Sequence, residues 1–222
     1  MTDLRQRFYI DDSPVRGEVV HLEEALQTIL AQRDYAPAVQ VLLGEMLSAI
    51  ALLASTLKIK GRVSLQIQAQ GTFKWAMAEC SHLGEVRALA DYEEDLRFMQ
   101  GDTSQTVLSS LMNPVLFINI DPEHGERYQG IVALDKPTLA ECLVQYYDLS
   151  AQIPTRIVLG STAQRAGGLL IQLLPRNNEE EQQQIDEDIW PRLKLLTETL
   201  KIAELTDLSA EEILYRLYNE EE

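Results

Sequence analysis

Few residues in this sequence are placed to do covalent chemistry. Of the three histidines, His21, His82 and His124, only His124 has charged company, in Glu123, Glu126 and Arg127. An imidazole among carboxylates suits proton transfer. Here the group belongs to Asp121-Pro122-Glu123-His124-Gly125, whose acid, proline and glycine are tight-turn residues. A polar hairpin turn is therefore the stronger reading and an acid–base site the weaker. Neither His21 nor His82 adjoins a nucleophile signature. Ser161, Thr162, Gly167 and Gly168 have the composition of a phosphate-binding loop. Such a loop hands its anion to a helix N-terminus, whereas these glycines run into Leu169-Leu170-Ile171-Gln172-Leu173, a strand sequence. A hairpin or bulge fits them better. Cys80 and Cys142 are too far apart in sequence for a metal-ligand pair or a disulfide framework. Cys142 shares a helical face with Leu139 and Leu143, and Cys80 follows Glu79, so both read as buried structural thiols rather than redox sensors. Glu179 to Asp188 holds six acids and no base but lacks the spacing of a calcium loop, so it reads as a solvated helix face.

What remains is recognition chemistry. Apolar residues recur at Ile185, Ile189, Leu193, Leu196, Leu200 and Ala203, in steps of three and four, and so form one stripe along a helix. Pro191 lies inside the stripe and must kink the helix or mark the first turn of a new one. A second helix follows, with Ser209 and Glu212 as a capping box and Ile213, Leu214, Leu217 and Tyr218 as its apolar face. Two apolar faces on an acidic arm require a cover. The body of the protein, a second copy or a foreign chain could each supply it.

The elements that position this arm are legible in order. Arg5 to Ile10 and Val15 to Val20 read as strands. Leu22, Ala25, Leu26, Ile29 and Leu30 give an amphipathic helix. Pro37 opens a helix to about Leu57 that is apolar nearly all round, hence the buried core helix. Val63, Leu65, Ile67 and Ala69 alternate with polar residues, as in a half-buried strand. After Gly71, Phe73, Trp75 and Met77 point one way and Lys74 and Ala76 the other. Val86 to Ala90 adds a strand, Asp91 to Asp102 a loop, and Thr106 to Leu111 a helical turn or two. Val115 to Ile120 and Arg127 to Leu134 form a hairpin. Pro137 starts a helix, and strands at Ile153 to Leu159 and Leu169 to Leu174 close the body. Strands in clusters with helices between them predict an α+β fold. Its sheets are mainly antiparallel and packed on a buried central helix. The expected division is a core over residues 1–176 and a helical arm over 177–222.

Composition narrows the partners. The net charge of −16 argues against a phosphate-backbone ligand and against an anionic membrane surface. The 45% hydrophobic content suits a globular protein with a real core. Met1-Thr2-Asp3-Leu4-Arg5-Gln6-Arg7 is followed by no apolar secretory segment, and the run Met46 to Leu57 is too short to span a bilayer, so a cytoplasmic location is expected.

Several segments resemble the heat-shock protein 33 family, redox-regulated holdase chaperones of bacteria. They are Val15-Arg16-Gly17-Glu18, Gly125-Glu126-Arg127-Tyr128-Gln129-Gly130-Ile131-Val132, Thr138-Leu139-Ala140-Glu141-Cys142-Leu143, Gln152-Ile153-Pro154-Thr155-Arg156, Ala166-Gly167-Gly168-Leu169-Leu170, Leu196-Thr197-Glu198-Thr199-Leu200 and Leu214-Tyr215-Arg216-Leu217-Tyr218. Each is short. Together, in order along the whole chain, they are specific. The resemblance implies an α+β core, a helical linker and a C-terminal domain that holds zinc through Cys-X-Cys and Cys-X-X-Cys. In the family, oxidation releases the zinc, the linker loosens, and the exposed surface holds unfolding proteins. Active forms are dimers and hydrolyse no nucleotide. This sequence reaches Glu222 about where the zinc domain is expected and carries no switch cysteine, so neither zinc nor another cofactor is expected in it. The expectation is a core-plus-linker form without the switch. It would be an ATP-independent, non-enzymatic holdase, a homodimer that binds unfolded or misfolded proteins and neither nucleic acid nor membrane. Ile185, Ile189, Trp190, Leu193, Leu196 and Leu200, with the body surface they cover, are the candidate client-binding residues. Two other classes stand beside this one: a structural homo-oligomer whose arm docks on a neighbour, and, more distantly, a small-molecule enzyme using His124 or the Ser161–Gly168 loop.

Overall fold

The protein was analysed as a computed structural model, which describes residues 3–57, 59–93, 103–175 and 188–221. Its organising element is helix α2, Pro37–Thr56. Proline at the first helical position starts it, where a missing N–H costs nothing. Its residues are apolar on nearly every side because the helix is surrounded. Leu42, Leu43, Met46, Leu47, Ile50 and Leu52 are all fully buried. At 20 residues the helix is long and apolar enough to cross a membrane, longer than the Met46–Leu57 run suggests, yet it spends that surface on the core.

Two antiparallel sheets enclose α2. One has the order β5-β4-β3-β6-β7, the other β1-β2-β9-β8. The first is built from β3 (Gly61–Gln70), β4 (Phe73–Ser81), β5 (Val86–Tyr92), β6 (Met112–Pro122) and β7 (Tyr128–Ala133). In β3 the inward Val63, Leu65 and Ile67 are buried and alternate with polar residues, as the sequence predicts. In β4 the side that faces the core is the opposite of the expected one. Ala76, Ala78 and Cys80 point inward, and Trp75 and Met77 are only partly buried. The cause is a register shift between Phe73 and Trp75, a β-bulge that leaves Phe73 inside and turns Trp75 out. Ala76 and Ala78, with Ala88 and Ala90 of β5, are small because α2 crosses close above them. Of the acidic stretch expected to form a loop, Asp91 and Tyr92 belong to β5, and residues 94–102 lie outside the described residues.

The second sheet comprises β1 (Leu4–Tyr9), β2 (Val15–Leu22), β8 (Thr155–Ser161) and β9 (Ala166–Leu173). Both β2 and β9 are buried along almost their whole length. Continuous burial means both faces are covered. Val20, Leu159 and Leu170 face α2, whereas Val15, Val19, Leu169 and Ile171 belong to a separate apolar cluster on the far side. Shorter helices complete the body: α1 (Glu24–Leu30), α3 (Ser104–Ser110) and α4 (Leu139–Tyr146). The Thr138–Glu141 capping box fixes the start of α4 and directs Leu139, Cys142 and Leu143 inward.

Close packing of α2 over the alanines yields a test. Ala78→Leu forces extra methylenes into a filled contact and is expected to cost about 1–3 kcal/mol. A lowered urea midpoint at unchanged slope checks it. An unchanged midpoint means the contact has room to spare.

Candidate functional site

The far face of the four-stranded sheet is covered by the chain's own C-terminal helices. These are α5 (Ile189–Glu198), α6 (Ile202–Asp207) and α7 (Ala210–Tyr218). Pro191 falls in the first turn of α5, where it starts the helix and does not kink it. The Ser209–Glu212 capping box starts α7 as expected. The single long stripe is not found. The helix stops at Glu198, and Lys201 is extended, its N–H held by Glu204 Oε2 at 2.9 Å, so a new helix begins at Ile202. The break lets both Leu200 and Leu205 turn onto the sheet and leaves Ala203 exposed, off the stripe.

Ile189, Leu193 and Leu200 are buried against Val15, Val19, Leu169 and Ile171, and Trp190 and Leu196 pack partly against the same cluster. Ile185 lies outside the described residues. Ile213, Leu217 and Tyr218 of α7 fill the rest of the interface. Polar contacts pin the assembly. The Thr197 and Tyr218 hydroxyls are 2.6 Å apart within it, and the Tyr218 ring stacks on Phe8 of β1 at 5.8 Å. Arg192 forks onto Glu221 at 2.7 and 3.0 Å, and Arg216 pairs with Glu204 at 2.7 Å. Burial pushes the Tyr218 phenol up to about 12, so it stays neutral.

Two residues that sequence reasoning passed over hold the interface. His21 of β2 is buried beneath α6, and its Nε2–H donates to the Leu205 carbonyl at 3.0 Å, while Nδ1 has no partner among the described residues. Beside it, a side chain on Gly167 would strike the Leu205 carbonyl at 2.7 Å. On the other face a side chain on Gly168 would strike Leu52 of α2 at 2.7 Å. The Ser161–Gly168 stretch is a β8–β9 hairpin, as the sequence suggests, and not a phosphate loop; its glycines form no bulge, since their ladders run without a register shift. They are the points where a helix lies on each face of the sheet. A glycine pair inside an apolar strand is the signal that pointed there.

A second feature lies beside the arm. Glu45 of α2 is almost fully buried in the wall of a cleft of about 870 Å³. Burial pushes its carboxyl from 4.5 up to about 7, against the hydrogen bond with Ser104. The sequence hid this residue because nothing local marks which polar position of an apolar helix lacks water. The cysteines are as expected: Cys80 and Cys142 are both buried free thiols, pushed up by burial. The zinc that the resemblance implies has no fit to them, since Cys80 lies on β4 and Cys142 on α4, and no group of three or more candidate ligands gathers around either among the described residues. His124 is exposed in the turn between β6 and β7.

The two buried groups titrate with opposite signs. Burial lowers the His21 pKa below 6.5. The unfolded or undocked state then binds more protons, so docking is strongest above about 6.5 and weakens as pH falls toward the folded value. Amide exchange in α6 is expected to speed up between pH 7.5 and 5.5 after correction for intrinsic rates, and His21→Gln should remove the difference. Equal opening at both pH values in the parent chain would exclude His21 as its cause. The raised Glu45 pKa stabilises fully below 4.5, and its contribution is lost as pH rises through 7. Glu45→Gln should therefore gain on the parent by on the order of 3 kcal/mol at pH 8 and by little at pH 5, as read by urea unfolding.

With this geometry in hand, comparison with known proteins is direct. A family model described as "Hsp33 protein" matches residues 3–222. A 33 kDa chaperonin of Ectopseudomonas mendocina is 45% identical over 222 residues, spanning 100% of this chain and 73% of that protein. One of Shewanella denitrificans is 41% identical over 220 residues, with 99% and 73% covered. The fold superimposes on the crystal structure of a 33 kDa chaperonin of Thermotoga maritima with a TM-score of 0.80, at 19% identity, covering 97% of this chain and 74% of that one. Sequence kinship along the whole chain and a shared α+β architecture lead to one conclusion: the chain belongs to the Hsp33 family of chaperones.

Proposed function

We propose that this chaperone is an ATP-independent holdase that acts in the cytoplasm as a homodimer. In this reading residues 1–176 form the client-holding body and 177–222 a detachable arm. One observation carries the reading. The four-stranded sheet has a second apolar face, Val15, Val19, Leu169 and Ile171, and its cover is a helical arm with an apolar stripe of its own. Loosening the arm frees two apolar surfaces at once. Clients are held by the stripe, Ile185, Ile189, Trp190, Leu193, Leu196 and Leu200, together with the sheet face beneath it.

No catalytic residue is required. Burying client apolar surface contributes roughly 25 cal/mol per Å², enough to compete with a docked arm when the client has unfolded. The net charge of −16 keeps the loaded complex soluble. Gly167 and Gly168 have both side-chain positions filled by neighbouring helices, which leaves no cradle for a nucleotide there.

Light scattering from heat-unfolding citrate synthase tests the reading, with this chain added in reductant and in oxidant. Because Cys80 and Cys142 are buried, equal suppression in both is expected. Failure to suppress in either condition would sink the holdase assignment. The surface is tested by Leu193→Asp with Leu196→Asp. A carboxylate at the fully buried Leu193 position undocks the arm at a cost above ~3 kcal/mol and should change suppression. Unchanged suppression by the folded double variant would remove the stripe from the mechanism.

A further inference from the structure

Among the described residues, strand β8 is the edge of its sheet, with β9 on one side and no strand on the other. Its register with β9 sets which backbone groups face outward. Thr162 N–H donates to the Arg165 carbonyl at 2.7 Å, and Leu173 N–H to the Pro154 carbonyl at 3.0 Å. In an antiparallel ladder the bonded pairs alternate. Arg156, Val158 and Gly160 therefore bond to β9, and Thr155, Ile157, Leu159 and Ser161 turn their N–H and C=O groups outward. The Thr155 carbonyl is taken by Arg156 Nη1 at 2.7 Å. Among the described residues no hydrogen bond reaches the outward groups of Ile157 or Leu159. Both residues are only 7% exposed, and both line the cleft of about 870 Å³. Backbone groups this far from water rarely stay unpaired.

The cleft has the form of a missing strand. On the α2 side of the sheet its wall carries Glu45, and on the arm side Leu200 and Ile202. Among the described residues its lining includes three glutamates, Glu45, Glu141 and Glu198, and no lysine or arginine. A strand laid along β8 would send alternate side chains to those two walls.

We propose that the β8 edge binds one extended segment of an unfolded client by strand addition, choosing segments with basic residues toward Glu45 and apolar residues toward Leu200 and Ile202. This deepens the holdase reading and rests on it. It adds a contact made through backbone, which every unfolded chain offers whatever its sequence. A second copy is a poorer occupant, because pairing β8 with β8 brings the helical walls of both copies into the same space.

The test uses the unmodified chain and an octapeptide of alternating lysine and valine, with its fully backbone-N-methylated analogue as control. Residue-resolved amide exchange should slow at least about tenfold at Ile157 and Leu159 with the peptide and stay unchanged with the analogue, with Val158 as the internal reference. Leu159→Pro removes one outward N–H and leaves the β9 ladder whole, so it should weaken peptide binding more than Leu159→Ala does. No peptide binding, equal binding of the analogue, or binding without protection at Ile157 and Leu159 each overturns the proposal. Protection that rises with protein concentration alone assigns the edge to a second copy and overturns it too. The citrate synthase assay separates the two readings. Suppression without edge protection sinks the edge site and leaves the holdase standing, and edge protection without suppression does the reverse.

Discussion

A sheet that is apolar on both faces cannot stand in water, and the architecture of this protein follows from that constraint. Strands β2 and β9 are buried along nearly every residue. One face is satisfied permanently by α2, which the five-stranded sheet holds from behind. The other is satisfied by an arm that has, among the described residues, three short helices, none longer than 10 residues. Helices this short do not persist alone in water. The arm is therefore ordered by the sheet as much as the sheet is covered by the arm, and the two surfaces are gained or lost together.

Much of this was readable from residue order. The apolar run after Pro37 pointed to a helix enclosed on all sides, and α2 is that helix. The Ser209–Glu212 pair acts locally, and its helix starts where expected; the helix expected from Pro137 starts at Leu139, set by the Thr138–Glu141 capping box. The arm's apolar residues do face a cover, and that cover is the body of the same chain. What the sequence concealed depends on contacts between distant residues. Phe73 and Trp75 have the alternation of a plain strand until a bulge separates them. The steps of three and four from Ile185 to Ala203 fit one helix, but two shorter ones place both Leu200 and Leu205 on the sheet, and burial outweighs an unbroken hydrogen-bond ladder. His21 and Glu45 carry no local mark at all. Their importance comes from what lies above them, Leu205 in one case and Ser104 in the other.

The charged groups divide the same way. Pairs such as Arg192–Glu221 and Arg216–Glu204 tie the arm to itself and are partly exposed, so each contributes modestly. Glu18, fully enclosed beneath Arg7, matters differently. Arg7 also donates to the Ser55 carbonyl at 2.7 Å, so one side chain joins the outer strand β1 to the end of α2. The body's most enclosed carboxylate is thus paired within the body, while the arm interface combines apolar contact, the buried His21 imidazole and two partly exposed ion pairs, Arg156–Glu198 at 3.5 Å and Arg165–Asp207 at 3.4 Å.

The pairing of β2 with β9 also has a consequence in time. Val20 meets Gly168, and Val19 meets Leu169, across most of the length of the chain. During synthesis at roughly 5–20 residues per second, β2 waits roughly seven to thirty seconds for its partner. Through that interval an apolar hairpin of β1 and β2 stands with one edge and two faces open to the cell. The arm, which follows β9 in the chain, arrives later still. A chaperone of this family therefore begins its own life as an unfolded chain with a bare strand.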